Sequence, residues 1–592
     1  MPDSQSQQGP EPTFTPSADT PVRAFRQILW LPLRRELGLK SVGQADAQGA
    51  QRWVRFDDDP LHAADPPKGT ATPDSAEARY AHYLYFHPYI RRFLFDGPQH
   101  GEPPLTRWRL RDPAPYACLD VLLPEGQDAV AGSVHAMRFG VERCLLYEFR
   151  LGVVLLELEL VWQQSLHPAD APPHRPPLSL ADTMDALDFM RRTHPGYFPW
   201  APGDALPHRR LDLAGGRFPL AARWSSALQP LHFAELDRAA DPADAAGPSD
   251  LGKRLGDRKS ALLNQLLEPT PARERSTPLA EPWASLLGAV GEHSLQIEDE
   301  RMPYMAYIAV DDPAQISRGD WVRLAFADYR GNSAGPPYAR EMLKDFEQNH
   351  CYDRFFDPGH GWTTRYLNAG YAFTMVGAQG DGFFPNDGLV HFRRQYASIG
   401  LLAQFNKAAL LLISNRLSEA IDKRDVGDGS DYRRLVGEIQ GDLLEFTHRY
   451  WFDGVSNQLQ ASELQAYWFR HLGLQSLYDS VMAEARAAYD YVLAVEERLQ
   501  TEAVERLTKG GFWVAVFGLM LAAMGAGFPF DKALSVYDEK LIRTACWLWQ
   551  SSCEANLPRS AVLTVTLVAA FGLALYLFSL RRPKPRTTSK ER

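Results

Sequence analysis

The sequence has very little cysteine, five residues in 592, and no CxxC pair. That excludes a disulfide scaffold, a zinc ribbon and a dithiol redox centre as organising features. Cys118, Cys144 and Cys351 are scattered and read as reduced, buried thiols. A basic excess is missing as well. The net charge is -10, the wrong sign for a dedicated nucleic-acid binder, so no nucleic-acid partner is expected. The opening residues, MPDSQSQQGPEPTFTPSADTP, lack a basic start followed by an apolar run, so no secretory signal is expected. Residues 1–20 are polar and proline-rich and read as disordered.

Catalytic signatures are also missing. There is no HExxH and no GxSxG, and GAQGDG (377–382) has neither dinucleotide-binding spacing nor a phosphate-loop lysine. His360, in DPGHGW, and His471, beside Arg470, stand alone in the sequence. FDDDP (56–60) and IEDE (297–300) could hold hydrated Mg²⁺ or Ca²⁺ but read as solvated surface. DVGDGSD (425–431) misses the acidic positions of a calcium loop and reads as a turn. No catalytic constellation, cofactor or metal-ligand set is assigned, and the chain is not expected to be an enzyme.

Proline is unevenly spread. Forty of the 44 prolines lie in residues 1–385, and none lies between Asn386 and Phe528. Proline interrupts helices, so the proline-free stretch is expected to be mostly helical and residues 21–385 mixed. CLLYEFRLGVVLLELELVW (144–162), YMAYIAVDD (304–312), WVRLAFADY (321–329) and GYAFTMVG (370–377) read as strands. LSLADTMDALDFMRRTH reads as an amphipathic helix capped by Ser179 or Asp182. LDRAADPADAAGPSDLG (236–252) and EPTPARERSTP (268–278) read as linkers or long surface loops. Helices are expected over 391–422, over 431–452, and from about Asn457 into an apolar run.

Two runs of twenty residues have no charge: GFWVAVFGLMLAAMGAGFPF (511–530) and AVLTVTLVAAFGLALYLFSL (561–580). Each is long enough, as a helix, to cross a hydrocarbon core of about 30 Å. The tail after the second, RRPKPRTTSKER (581–592), has six basic residues and one acidic, against four of each in the loop 531–560. Basic flanks stay in the cytoplasm, so both chain ends are expected inside, with the chain a multi-pass protein of the cell inner membrane. Trp547 and Trp549 could anchor the loop at the outer interface. Cys546 and Cys553 would then face an oxidising compartment. On a continuous helix they would be about 10.5 Å apart along the axis, so a disulfide requires a turn between them.

The helix ahead of the first run repeats apolar or small residues at close to helical spacing: Leu474, Leu477, Val481, Ala485, Ala488, Val492, Val495, Leu499, Ala503 and Leu507. A stripe this continuous fits a stalk packed around a symmetry axis. The expected architecture is an α+β cytoplasmic domain (21–385), a helical region with a long stalk helix (386–510), and two transmembrane helices with a basic tail.

This organisation resembles the CorA magnesium-channel family over about residues 391–592. The family's signature is Gly-Met-Asn at the outer end of the first span, followed by Phe. Here the corresponding residues are Gly525, Ala526, Gly527 and Phe528. Gly525 and Phe528 match; Ala526 stands in place of Met and Gly527 in place of Asn. The resemblance implies a homo-oligomer, a pentamer in that family, with the stalk and first span lining a pore, and Mg²⁺ as the transported or sensed ion. Glycine lacks the Asn side-chain carbonyl, and the outer loop is longer than the family's short acidic one, so altered selectivity is expected. A second function stands beside it: a membrane effector or sensor whose cytoplasmic domain binds a ligand or partner and gates or perturbs the bilayer.

Overall fold

The protein is described here from a computed structural model covering residues 20–35, 42, 52–56, 76–95, 103–124, 134–163, 178–193, 221–226, 279–288, 290, 294–297, 301–328, 338–424 and 430–525. The chain divides into two units, Met1–Leu493 and Ala494–Arg592.

The first unit is built on a sheet that has twelve strands among the described residues. They are β1 (Val22–Arg35), β2 (Trp53–Arg55), β3 (Leu105–Leu110), β4 (Cys118–Pro124), β5 (Val134–Phe149), β6 (Val153–Trp162), β7 (Ala221–Ser225), β8 (Ser294–Gln296), β9 (Tyr304–Val310), β10 (Cys351–Tyr352), β13 (Arg365–Asn368) and β14 (Ala372–Ala378). A separate hairpin pairs β11 (Phe356–Asp357) with β12 (Trp362–Thr363). The main order is β10-β13-β14-β9-β1-β6-β5-β3-β2. Neighbours are antiparallel except β9 and β14, which run parallel. A parallel pair needs a crossover, and the chain between them supplies helices for it.

The helices are α1 (Ala76–Tyr85), α2 (Pro88–Leu94), α3 (Leu180–Met190), α4 (Glu281–Leu287), α5 (Arg318–Phe326), α6 (Arg340–Asn349), α7 (Ala397–Arg424), α8 (Ser430–Arg449), α9 (Leu459–Leu472) and α10 (Leu474–Gly525). Two π-helical turns, Phe384–Gly388 and Phe392–Tyr396, lead into α7. Both faces of the sheet are covered. Phe25, Leu29 and Leu31 of β1 face a core shared with α3, α4 and α5, while Ile28 and Trp30 face one shared with α1, α2 and α7. This explains why β6, VVLLELELVW, is apolar almost throughout: a strand covered on both sides has no solvent face.

The strands read from 144–162, 304–312 and 370–377 are found as β5–β6, β9 and β14. Ser179 caps α3, accepting from the Asp182 backbone N–H at 3.1 Å, while the Asp182 side chain reaches back to complete a capping box. Two readings are corrected. WVRLAFADY is not a strand but most of α5. Ser317 Oγ accepts from Asp320 N at 3.1 Å, and Ala327 ends the helix in the left-handed conformation. The helix read as continuous from Asn457 is broken at Gly473, which adopts φ +62° and terminates α9 before α10 begins. Residues 1–19, the linkers at 236–252 and 268–278, Asp57–Asp59 and Glu298–Glu300 lie outside the described residues, as do Ala526–Arg592 with the loop cysteines and the second apolar run.

One helix among the described residues, Phe384–Arg424, is long and apolar enough to cross a membrane. In its most apolar eighteen-residue stretch 78% of the residues are buried, as in a core helix of the domain.

Candidate functional site

Two places combine unusual chemistry with a defined position: a buried ion network where the π-helical turns meet the sheet, and the last turns of α10.

The network begins with sequence alternation. Glu157 and Glu159 are two residues apart on β6, so they share a face, and both are buried. A buried carboxylate must be paired. β5 provides partners through a bulge: Val141 pairs with Leu160 and Arg143 with Glu159, leaving Glu142 as the extra residue. Arg143 Nε lies 2.6 Å from Glu157 Oε1, and Trp30 Nε1 donates to Glu157 Oε2 at 3.3 Å. Glu159 accepts from Arg26 at 3.2 Å and from Arg393 Nε at 2.6 Å. Arg393 also donates to Glu142 at 3.1 Å, and Arg143 Nη2 donates to the Arg393 carbonyl at 3.0 Å. Burial pushes the Glu159 carboxyl up, but Arg143 and Arg393 outweigh it and hold it below the ordinary value.

Arg393 sits in the second π-helical turn. Such turns distort the regular hydrogen-bond ladder and recur at functional sites. The first turn is fixed by a close approach. Phe384 stacks on Tyr307 at 4.5 Å, and a Cβ on Gly377 would come within 2.2 Å of the Phe384 ring. His82 of α1 contacts Ser398 Oγ at 3.0 Å, just past the second turn. Burial, reinforced by Arg394 and Arg143, holds its imidazole well below the ordinary value, hence neutral. The sequence carries a signal for this network in the Glu-x-Glu of an otherwise apolar strand. The arginines come from distant segments and give no local signal.

The predicted stalk positions fall into two environments. Val481, Ala485 and Val492 are buried, and Ala488 is packed against the same core. Their partner is α8 of the same chain: Gln440 Nε2 donates to the Ala485 carbonyl at 3.0 Å, and Tyr432 meets Tyr491 edge-on. Val495 is half-buried, while Leu499 and Leu507 are 50% and 75% exposed. Next to the last stripe residues, Glu502–Arg506 and Glu505–Lys509 form solvated i,i+4 pairs. Then the surface changes: Phe512, Trp513, Val514, Leu519 and Met520 are all exposed. Gly525 is the last described residue of α10; Ala526, Gly527 and Phe528 lie beyond it.

The three cysteines of the first unit are free thiols. Burial pushes Cys144 and Cys351 up to about 12, which leaves both unreactive at neutral pH. His360 is exposed, and its Nδ1 lies 2.8 Å from Asp357, its neighbour on the hairpin. Among the described residues no group of three or more His, Cys, Asp or Glu side chains could hold a metal. Compared with protein-family models, curated proteins and solved structures, the chain matches none of them.

Proposed function

We propose that this chain is a membrane-tethered, self-associating ion channel or transporter of CorA-like organisation, related to divalent-cation transport but altered in selectivity. On this reading the sheet unit lies in the cytoplasm, and α10 continues into the first of two spans. The carrying observation is the change of character along α10. Its first turns bury Val481, Ala485 and Val492, and its last described turns expose Phe512, Trp513, Val514, Leu519 and Met520. Each large apolar side chain left in water forgoes about 1.5–3 kcal/mol. A lipid bilayer removes that cost along the whole circumference of the helix, which a single packed face cannot do. The exposed Leu499 and Leu507 then supply a seam for copies of the same helix.

The effector or sensor reading has its own support in the twelve-stranded sheet, which exceeds what is needed to hold a stalk. In it the sheet unit binds a ligand or partner and the membrane part opens in response. Three measurements on full-length protein test both. Resistance of the membrane-bound fraction to alkaline carbonate tests tethering. Native mass in detergent tests self-association. Mg²⁺, Co²⁺ and K⁺ flux in liposomes tests transport. Release by carbonate refutes both readings, and an oligomer that passes no ion, either as wild type or as the Ala526→Met, Gly527→Asn variant, refutes the first.

A further inference from the structure

His471, isolated in the sequence, meets a second histidine in the fold. Its ring stacks on His350 with centroids 4.3 Å apart. Each ring is tied to a backbone carbonyl: His350 Nδ1 lies 2.9 Å from Asn368 O, and His471 Nε2 lies 2.7 Å from Asn349 O. A carbonyl only accepts, so each of these nitrogens carries the hydrogen. The neutral pair therefore satisfies both contacts with the second nitrogen of each ring unprotonated.

The pair occupies a joint. His350 follows α6, and His471 is in the last turn of α9, two residues before Gly473 ends that helix and α10 starts. The β13–β14 turn abuts the same place. Gly370 has φ +85°, and a Cβ there would lie 2.8 Å from the His471 carbonyl. Gly370 N donates to Asn368 Oδ1, and Gln404 of α7 donates to Gly370 O. Lys407 of α7 donates to Leu472 O at 3.1 Å. Carbonyls, amides and two imidazoles meet here inside an apolar surround: Phe326 meets His350 edge-on at 5.0 Å, Phe346 stacks on it at 6.3 Å, and Leu472 and Leu474 are buried.

We propose that the stacked His350–His471 pair is an acid-sensitive latch that fastens the elbow between α9 and α10 to α6 and the β13–β14 turn. Protonating both rings puts like charges face to face at 4.3 Å. The charged groups bearing on the pair are Asp345 on α6, which favours protonation of His471, and Arg470 on α9 and Lys407 on α7, which are cations. Burial dominates and lowers His471 to about 4, with His350 acting in the same direction. A histidine lowered in the closed state stabilises that state above its open-state value and loses the contribution as pH falls. With the open ring at about 6.5 and the closed one at about 4, opening is favoured about 30-fold more at pH 5 than at pH 7.5. The inference concerns the first unit and holds whether or not α10 enters a membrane.

Cys351, adjacent to His350 and buried, reports the opening. The experiment uses full-length protein in detergent and 4,4′-dithiodipyridine, which reacts with thiols at acidic pH. Labelling of each cysteine is followed by peptide mass and divided by its rate in guanidinium at the same pH. The expected result is a fall in Cys351 protection of about 30-fold between pH 7.5 and pH 5. Protection of Cys118 and Cys144 should hold. His471→Gln, which keeps the Nε2-like donor, should abolish the fall, and His471→Asn, which also removes the titrating ring, should do so if the first variant fails to fold. Unchanged Cys351 protection overturns the proposal. So does an equal loss at Cys118 and Cys144, or the same fall in a folded variant lacking the His471 ring.

Discussion

At the residue scale, the glycines and the buried charges are the most sharply constrained positions. Gly400 lies under Trp30: a Cβ there would meet the indole at 2.6 Å and the Met305 sulfur at 3.1 Å. Neither neighbour has room to retreat, since both are fully buried. Gly400→Ala should therefore destabilise the first unit by about 1–3 kcal/mol through overpacking. Urea unfolding followed by tryptophan fluorescence measures this, and a neutral result would mean that Trp30 repacks freely. Arg393 makes the second case. Arg393→Met removes the closest donor to Glu159 and leaves a carboxylate that is 0% exposed with weaker partners. Breaking a buried pair in this way costs about 3–5 kcal/mol. The variant should also respond differently to acid. In the wild type the Glu159 carboxyl is lowered, so its contribution is present above the unfolded value of 4.5 and lost as pH falls through the folded one. Without Arg393 the folded value rises, so the contribution is smaller and is exhausted at a higher pH. An unshifted acid-unfolding midpoint would show that Arg26 and Arg143 suffice.

At the scale of elements, strand and helix periods were legible where one signal dominated. The continuous apolar run of β9 and the capping box of α3 are local patterns, and both are found. WVRLAFADY fails as a strand for a physical reason. Its apolar residues fit either period over so short a run, and the deciding signal lies ahead of it in Ser317-x-x-Asp320. The break at Gly473 was equally hard to read, because a glycine inside a helical pattern can be tolerated; here its carbonyl neighbours and left-handed φ end the helix. The ion network was legible only as Glu157-x-Glu159 in an apolar strand; its arginines were not, because the network joins β1, β5, β6 and the π-helical turns across more than 200 residues of sequence. The stripe on α10 divides by environment, and that division is testable. Ala485 is 1% exposed beneath α8, so Ala485→Glu buries an unpaired charge and should cost several kcal/mol of folding stability. Leu499 and Leu507 are exposed, so Leu499→Glu with Leu507→Glu should leave the unfolding midpoint within about 0.5 kcal/mol of wild type. If these residues form the seam between copies, the double variant should instead lose native mass in detergent. Unchanged mass would place self-association elsewhere.

At the scale of the whole molecule, the proposed topology rests on the charge pattern around the apolar runs. Six basic residues follow the second run, against a balanced loop between the runs. A reporter active only outside the cytoplasm should therefore work when inserted near Ser551 and fail after Arg592; the reverse pattern overturns the orientation. The first run, 511–530, has no charged side chain and no Asn or Gln. If it lines a pore, the wall is mostly Val, Leu, Phe, Met and Ala. Such a wall closes by excluding water and selects ions only through backbone carbonyls or through rings at its ends. Glycine at 525 and 527 brings no side chain over its own carbonyl, and neither supplies the side-chain oxygen that the Gly-Met-Asn signature has at the place of Gly527. The unmodified protein should accordingly conduct Mg²⁺ poorly or without selectivity at rest. The measurement is growth of a magnesium-transport-deficient bacterium without added magnesium, together with liposome flux. Ala526→Met with Gly527→Asn should gain Mg²⁺-selective uptake that the wild type lacks. Robust, selective uptake by the wild type would show that the side-chain oxygen is dispensable here and that selectivity resides in the backbone or the loop.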